Sequence, residues 1–183
     1  TTTMNTDNLS FGQRVDETNG LVECWLTHGC LDWIKQQDWS NKDVIMYGGG
    51  MGNEWLAARC KNLVVIERDG RWLSNSGSYS CVYRPCNDSS GQDEYYLAFP
   101  DGFEPDIIIS DDAYRTEAVF KAIEYFKSKG GGILICDNFD QDYVWDSPVA
   151  VEALMKFENN IYPCTTHTDH NGKCWKTAVI FIK

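Results

Sequence analysis

Three consecutive glycines, Gly48-Gly49-Gly50, with another at Gly52, follow the apolar run Val44-Ile45-Met46-Tyr47, and an acidic residue, Glu67, closes the next apolar run, Leu63-Val64-Val65-Ile66. A glycine cluster in that position lets a ligand approach the main chain closely and leaves backbone N–H groups and a helix N-terminus facing it. A carboxylate closing the neighbouring strand can accept hydrogen bonds from both hydroxyls of a ribose. The pairing points to a ligand that carries a nucleoside. Further along, Ile107-Ile108-Ile109 runs into Ser110-Asp111-Asp112, and Ile133-Leu134-Ile135-Cys136 into Asp137-Asn138. Carboxylates at strand ends can align a substrate, act as a general base, or join an amide oxygen in holding a hard cation.

The elements that must position these residues are legible as hydrophobic patterns. Short β-branched runs at Val44–Tyr47, Leu63–Ile66, Tyr79–Tyr83, Ile107–Ile109 and Ile133–Cys136 read as buried parallel strands. Between them lie helical patterns: Asn53–Cys60, a brief helix at Arg71–Ser74, and Thr116–Lys129, whose Ala118, Val119, Ala122, Ile123 and Phe126 share a face before glycines stop it. Pro148 introduces another helix carrying Val151, Leu154, Met155 and Phe157, while the spacing of Leu21, Val22, Trp25, Leu26, Leu31, Trp33 and Ile34 predicts an amphipathic helix over Asn19–Gln37. The stretch Cys86–Pro105 is rich in turn formers and reads as mostly loop. At the end, Ile161–Thr168 and Cys174–Ile182 flank Asn171-Gly172, the strongest short signal for a hairpin. Alternating strands and helices imply an α/β, doubly wound, mostly parallel sheet with helices on both faces and a C-terminal antiparallel β-hairpin. Ligands of such sheets sit beyond the carboxyl ends of the strands.

Composition narrows the function. A chain of 183 residues with 43% apolar and 13% aromatic content can bury one core, and one domain, 1–183, is the economical reading. Within it, 1–40 reads as an N-terminal helical segment covering the site and 41–183 as the Rossmann-like core. A net charge of −11 would repel a phosphate backbone, which makes nucleic acid the least favoured partner, behind a small molecule and then protein. No apolar run approaches the roughly 20 residues of a membrane helix, and the polar start Thr1–Ser10 lacks the regions of a signal peptide; a cytoplasmic protein is expected. The eight cysteines are scattered, and most are expected to be free thiols in the core. Oligomeric state has no signature in the sequence.

The run from Val44 to Ala57 resembles the first motif of the class I S-adenosylmethionine-dependent methyltransferases. Leu63–Glu67 is similar to their second strand with its ribose-binding acid, Pro105–Asp112 to their fourth-strand motif, Gly130–Asn138 to their Gly-Gly turn and fifth strand, and the terminal hairpin to the antiparallel seventh strand of that fold. What the resemblance implies is a seven-stranded sheet and S-adenosylmethionine held by Tyr47, Gly48, Gly49, Gly50, Gly52, Asn53, Glu67 and Arg68, with Asn87 and Asp88 near the adenine. Asp111 would also touch the cofactor, and Asp111 and Asp112 would be the catalytic pair, since the fourth-strand end adjoins the methyl group. The sequence departs from the pattern at Met46, where members carry an acid. The methionine ammonium would then meet Asp111, carbonyls of the glycine turn, or the segment around Gln13 and Asp16.

Other readings share parts of this pattern. A Mg²⁺ ion on Asp111 or Asp112 with Asp137 and Asn138 would resemble the catechol-type O-methyltransferases; the metal-free site is the one carried forward, because sheets of this class often end in Asp-Asn without binding metal. Zinc on Cys164, His167, His170 and Cys174 is disfavoured, since His167 falls on the opposite face of a strand from Cys164. An NAD-dependent oxidoreductase shares the glycine turn and the acid, but the chain is short for two domains and ends in a hairpin. A non-catalytic cofactor-binding scaffold, docked through tryptophans such as Trp25, Trp33, Trp39 and Trp145, is the non-enzymatic alternative.

Overall fold

The computed structural model describes residues 13–74, 76–87, 91–139, 148–164 and 175–183. Its centre is a sheet of seven strands: β1 (Trp39–Tyr47), β2 (Cys60–Glu67), β3 (Ser80–Tyr83), β4 (Ile107–Ser110), β5 (Gly132–Cys136), β6 (Glu158–Pro163) and β7 (Lys176–Ile182). They lie in the order β3-β2-β1-β4-β5-β7-β6. The first five pair in parallel, and β7 runs antiparallel to both β5 and β6. Strand order reverses between β1 and β4, so the ends of these two strands open a crevice where a ligand can enter.

Strand alternation sorts the apolar residues into two cores. Ile45, Tyr47, Val64, Ile66, Ile108 and Leu134 face one side, packed under α4 (Arg115–Lys129), α5 (Pro148–Leu154) and the short α3 (Asp93–Leu97). Val44, Met46, Leu63, Val65, Ile107 and Ile109 face the other, packed on α1 (His28–Lys35) and α2 (Asn53–Ala57). The apolar stretches of the central strands β1, β2, β4 and β5 are thereby buried on both faces, which explains the continuous β-branched runs, whereas the edge strands β3 and β6 are partly exposed. Helix α4 stops where Gly130, at φ 99°, turns left-handed and donates to the Phe126 carbonyl.

The structure corrects the sequence reading in three places. The amphipathic helix expected over Asn19–Gln37 is only the eight residues of α1. Before it the chain makes a tight turn: Gly20 has φ 72°, its N–H and that of Thr18 bond to Asp16, and Val15 bridges to Val22. The apolar residues at helical spacing are buried there by irregular chain instead. The turn formers of Cys86–Pro105 likewise hid α3, whose Tyr96 and Leu97 are buried. Strand β6 begins at Glu158, ahead of the apolar start at Ile161, and Asn171-Gly172 lies outside the described residues. Among the described residues six cysteines are free, as expected for most of them, but Cys164 is disulfide-bonded. Among the described residues no helix is long and apolar enough to cross a membrane.

Candidate cofactor and acceptor site

Three of the four glycines in the turn after β1 are held by constraints of the fold. Gly48, at φ 86°, donates to the Ile66 carbonyl, and a Cβ there would stand 2.6 Å from Cβ of Asp112. Gly49 donates to Oε1 of Glu67 at 3.0 Å, and a Cβ on it would meet Val65 at 2.6 Å. A Cβ on Gly52 would be 2.4 Å from Cα of Cys24, because the N-terminal segment lies against the turn. Gly50 is different. Its φ is not left-handed, its N–H is satisfied by Oδ1 of Asn53 at 3.1 Å, and a Cβ would meet nothing within 4 Å. The fold demands glycine at the other three positions and leaves open space at this one.

Glu67 ends β2 with Oε1 on the Gly49 N–H and Oε2 on the Asp69 N–H at 3.1 Å. A carboxylate has about four acceptor positions, so acceptor capacity is left for a ligand beside the backbone donors of Gly49, Asp69 and Arg68. Burial raises the Glu67 carboxyl above its usual range, against the opposing pull of these backbone donors. The turn and Glu67 form the floor of a cleft of about 800 Å³, well within the size of small-molecule sites. Towards one end stand Trp72, from a 3-10 turn at Gly70–Trp72, and Tyr83; at the other are Trp25, Asp111, Arg115, Asp137, Asn138 and Trp175. A smaller cavity of about 120 Å³ is lined by Gln13, Cys24, Met46 and the turn from Gly49 to Asn53, and shares Trp25, Trp72 and Asp111 with the cleft. Beside it, Nδ2 of Asn53 is buried with no hydrogen-bond partner.

The carboxylates at the strand ends are sharply differentiated. Asp112 accepts from Arg68 Nε at 3.0 Å and from the Tyr96 hydroxyl at 3.0 Å, which ties it to the β2 side of the cleft. Asp137 accepts on Oδ1 from Trp175 Nε1 at 3.1 Å and from the Thr177 hydroxyl at 2.8 Å. Burial pushes the Asp111 carboxyl well up, reinforced by the charge of Asp137, and burial also raises Asp137; the two carboxyls hydrogen-bond to one another. Two acids in contact, Asp137 buried and Asp111 half-buried, favour holding a proton between them.

Solved structures with this architecture include NodS, an N-methyltransferase from Bradyrhizobium japonicum, with a TM-score of 0.57 over 85% of this chain and 94% of that one at 13% identity. An rRNA methylase from Streptococcus thermophilus matches with a TM-score of 0.54, covering 85% of this chain and 96% of its own at 12% identity. An O-methyltransferase from Bacillus cereus, solved with S-adenosylhomocysteine (SAH), matches with a TM-score of 0.51 over 79% and 76% at 14% identity. The fold is that of the class I methyltransferases. No protein-family model matches the chain, and no curated protein matches it.

Within this methyltransferase fold the expected site residues divide clearly. Gly48, Gly49, Glu67, Arg68, Asp111 and Asp112 line the cleft, together with Asp137 and Asn138, while Gly50, Gly52 and Asn53 line the smaller cavity. Tyr47 does not reach either: its ring is buried in the core and its hydroxyl bonds to the Leu97 carbonyl at 2.5 Å. Asn87 is exposed and away from the cleft lining, with its carbonyl on the Tyr114 hydroxyl, and Asp88 lies outside the described residues. Asp16 is buried beneath Trp55 and lines neither cavity, which leaves Asp111 as the carboxylate bordering the smaller one. His167, His170 and Cys174 lie outside the described residues; among those described, no three His, Cys, Asp or Glu side chains are grouped to hold a metal ion. Sequence reasoning missed Trp25, Trp72, Tyr83, Arg115 and Trp175. Of these, Tyr83 had a signal, since it is the last residue of β3, and Arg115 another, one helical turn beyond Asp111.

Proposed function

We propose that the protein is an S-adenosylmethionine-dependent methyltransferase acting on a small-molecule acceptor. The observation that carries this reading is the contact between Gly49 and Glu67, 3.0 Å, beside the open space at Gly50. A main chain bare of side chain next to a carboxylate with spare acceptor capacity suits a ribose laid across the turn. The bound SAH of the B. cereus O-methyltransferase supports the same ligand class.

In this arrangement Glu67 holds both ribose hydroxyls, and Trp72 and Tyr83 offer aromatic faces to the adenine. The amino-acid tail enters the smaller cavity, where Nδ2 of Asn53 donates to its carboxylate and Asp111 accepts from its ammonium, the task left open by Met46. When bound, S-adenosylmethionine supplies a methyl group on a positively charged sulfur. The chain's part is alignment: Trp25 and Trp175, edge to face at 6.0 Å, wall the acceptor end and keep water from it. Asp112, bound to Arg68 and Tyr96, is a positioning residue in this scheme. The recessed cleft and the charge of −11 favour a small acceptor over nucleic acid.

Thermal melts with S-adenosylmethionine, SAH and NAD⁺ test the reading. At a hundredfold excess over Kd a ligand stabilises by about 2.7 kcal/mol, which for a chain of this size raises Tm by about 5–11 °C. Shifts with the first two ligands and none with NAD⁺ are expected; a shift with NAD⁺ alone, or with no ligand, overturns it.

A further inference from the structure

Asp111, Asp137 and Asn138 are the oxygen donors a divalent cation would need, and a side chain already stands among them. Nη1 of Arg115 donates to the Asp137 carbonyl at 2.7 Å, Nη2 donates to Oδ1 of Asn138 at 3.3 Å, and the same nitrogen lies 3.7 Å from Oδ1 of Asp111. The residue is 9% exposed and lines the cleft at the end walled by Trp25 and Trp175. The backbone is shaped to put it there. Among the described residues only two non-glycines have a left-handed φ, Tyr114 at 57° and Asn138 at 52°, and they flank this cluster. Strained conformations of this kind gather at functional sites. Tyr114 is held by its hydroxyl, which donates to the Asn87 carbonyl at 2.6 Å and accepts from the Gln92 N–H at 3.1 Å, and α4 starts at the next residue, Arg115.

The geometry points to Arg115 as the resident cation of the acceptor end: its guanidinium fills the place of a divalent metal among Asp111, Asp137 and Asn138, so the site works without one. Mg²⁺ demands oxygens converging in near-octahedral geometry at about 2.0–2.1 Å. Here Asn138 Oδ1 and Asp111 Oδ1 face Nη2 and the Asp137 main-chain carbonyl takes Nη1, so a positive charge already sits among the donors and repels a second cation. Asp137 is further committed, with Oδ1 serving Trp175 and Thr177 and its carboxyl bonded to Asp111. The inference rests on the proposed function for what that end of the cleft holds, whereas the seat of the charge depends on Arg115 alone.

Chelator-treated full-length protein is titrated with Mn²⁺, the free ion being followed by electron paramagnetic resonance, with and without SAH. Arg115→Lys, which keeps the charge, and Arg115→Gln, which removes it, are run alongside, with melts to check folding. Wild type and Arg115→Lys are expected to leave millimolar Mn²⁺ free, and Arg115→Gln to bind it stoichiometrically. Stoichiometric Mn²⁺ binding by wild type that Asp137→Asn abolishes overturns the inference, as does a folded Arg115→Gln that binds none. Should Arg115→Gln fail to fold, the wild-type titration still decides. Absence of an SAH-dependent melting shift in the same samples would count against the proposed cofactor and leave the metal result standing.

Discussion

Replacing Gly50 with alanine separates the demands of the fold from those of the ligand. The native φ is not left-handed and the added Cβ meets no atom within 4 Å, so the folded state loses nothing. The unfolded chain loses freedom, and a glycine-to-alanine change at a compatible site stabilises by about 0.4–1 kcal/mol, a rise in Tm of about 1–4 °C for a chain of this length. A ligand lying on the main chain at Gly50 would collide with the new methyl group. Overpacking of this kind costs about 1–3 kcal/mol, which weakens SAH binding about 5- to 150-fold. Gly52→Ala serves as the opposite control: its Cβ would be 2.4 Å from Cα of Cys24, so stability falls by about 1–3 kcal/mol for purely internal reasons. Calorimetric titration with SAH, paired with melts of both variants, reads the two effects apart. Unchanged SAH affinity in Gly50→Ala would refute the idea that the turn is bare because a ligand lies on it.

Other expectations follow from neighbouring groups. Glu67→Gln puts an amide nitrogen opposite the Gly49 or Asp69 N–H, costing about 1–3 kcal/mol of stability and abolishing detectable SAH binding in a titration. Because burial raises the Glu67 carboxyl and its ionised form is the one that accepts ribose hydroxyls, wild-type SAH affinity should decline with falling pH sooner than an ordinary glutamate would dictate; a flat profile through the acidic range counts against the assignment. Asn53→Ala and Asp111→Asn should weaken SAH about 10- to 150-fold, the worth of a hydrogen bond to a charged group, while leaving the affinity for tail-less 5′-methylthioadenosine unchanged. Burial alone would raise Asp16, but hydrogen bonds from Thr18 and Trp55 outweigh it and hold the carboxyl below its usual range. Its contribution is therefore present above the unfolded carboxylate pKa and lost as pH falls below it, so the Tm gap between wild type and Asp16→Asn should close on acidification.

The parallel core was legible because its signal is local and redundant. Each of Val44–Tyr47, Leu63–Ile66, Ile107–Ile109 and Ile133–Cys136 is buried on both faces, and a β-branched run of that length has few other uses in a chain of this kind. The N-terminal segment misled for the same reason: Leu21, Val22, Leu26 and Leu31 are all packed in the core, but only Leu31 is helical, and apolar periodicity reports burial before it reports backbone shape. The competing influence was the turn that the Asp16 carboxylate organises around Gly20, a polar feature without hydrophobic period.

The site shows the same division between what a strand end fixes and what the tertiary structure assembles. Glu67, Asp111 and Asp137 stand directly after apolar runs, and in a parallel sheet every such position opens on one edge, so their convergence follows from topology. Trp25 and Trp175 come from opposite ends of the chain, and nothing in their sequence neighbourhoods links them. They meet because Gly52 allows Cys24 to lie against the turn, because the backbone N–H of Thr27 donates to the hydroxyl of Thr177 at 3.0 Å, and because Trp175 reaches Asp137. The N-terminal segment is thus fastened both to the glycine turn and to the last strand, and the wall formed by Trp25 and Trp175 exists only when all three are in place. Selectivity built across such a junction leaves no motif. It is written in contacts between segments, which is why the glycine turn and Glu67 suggested a ligand class while no stretch of the chain suggested an acceptor.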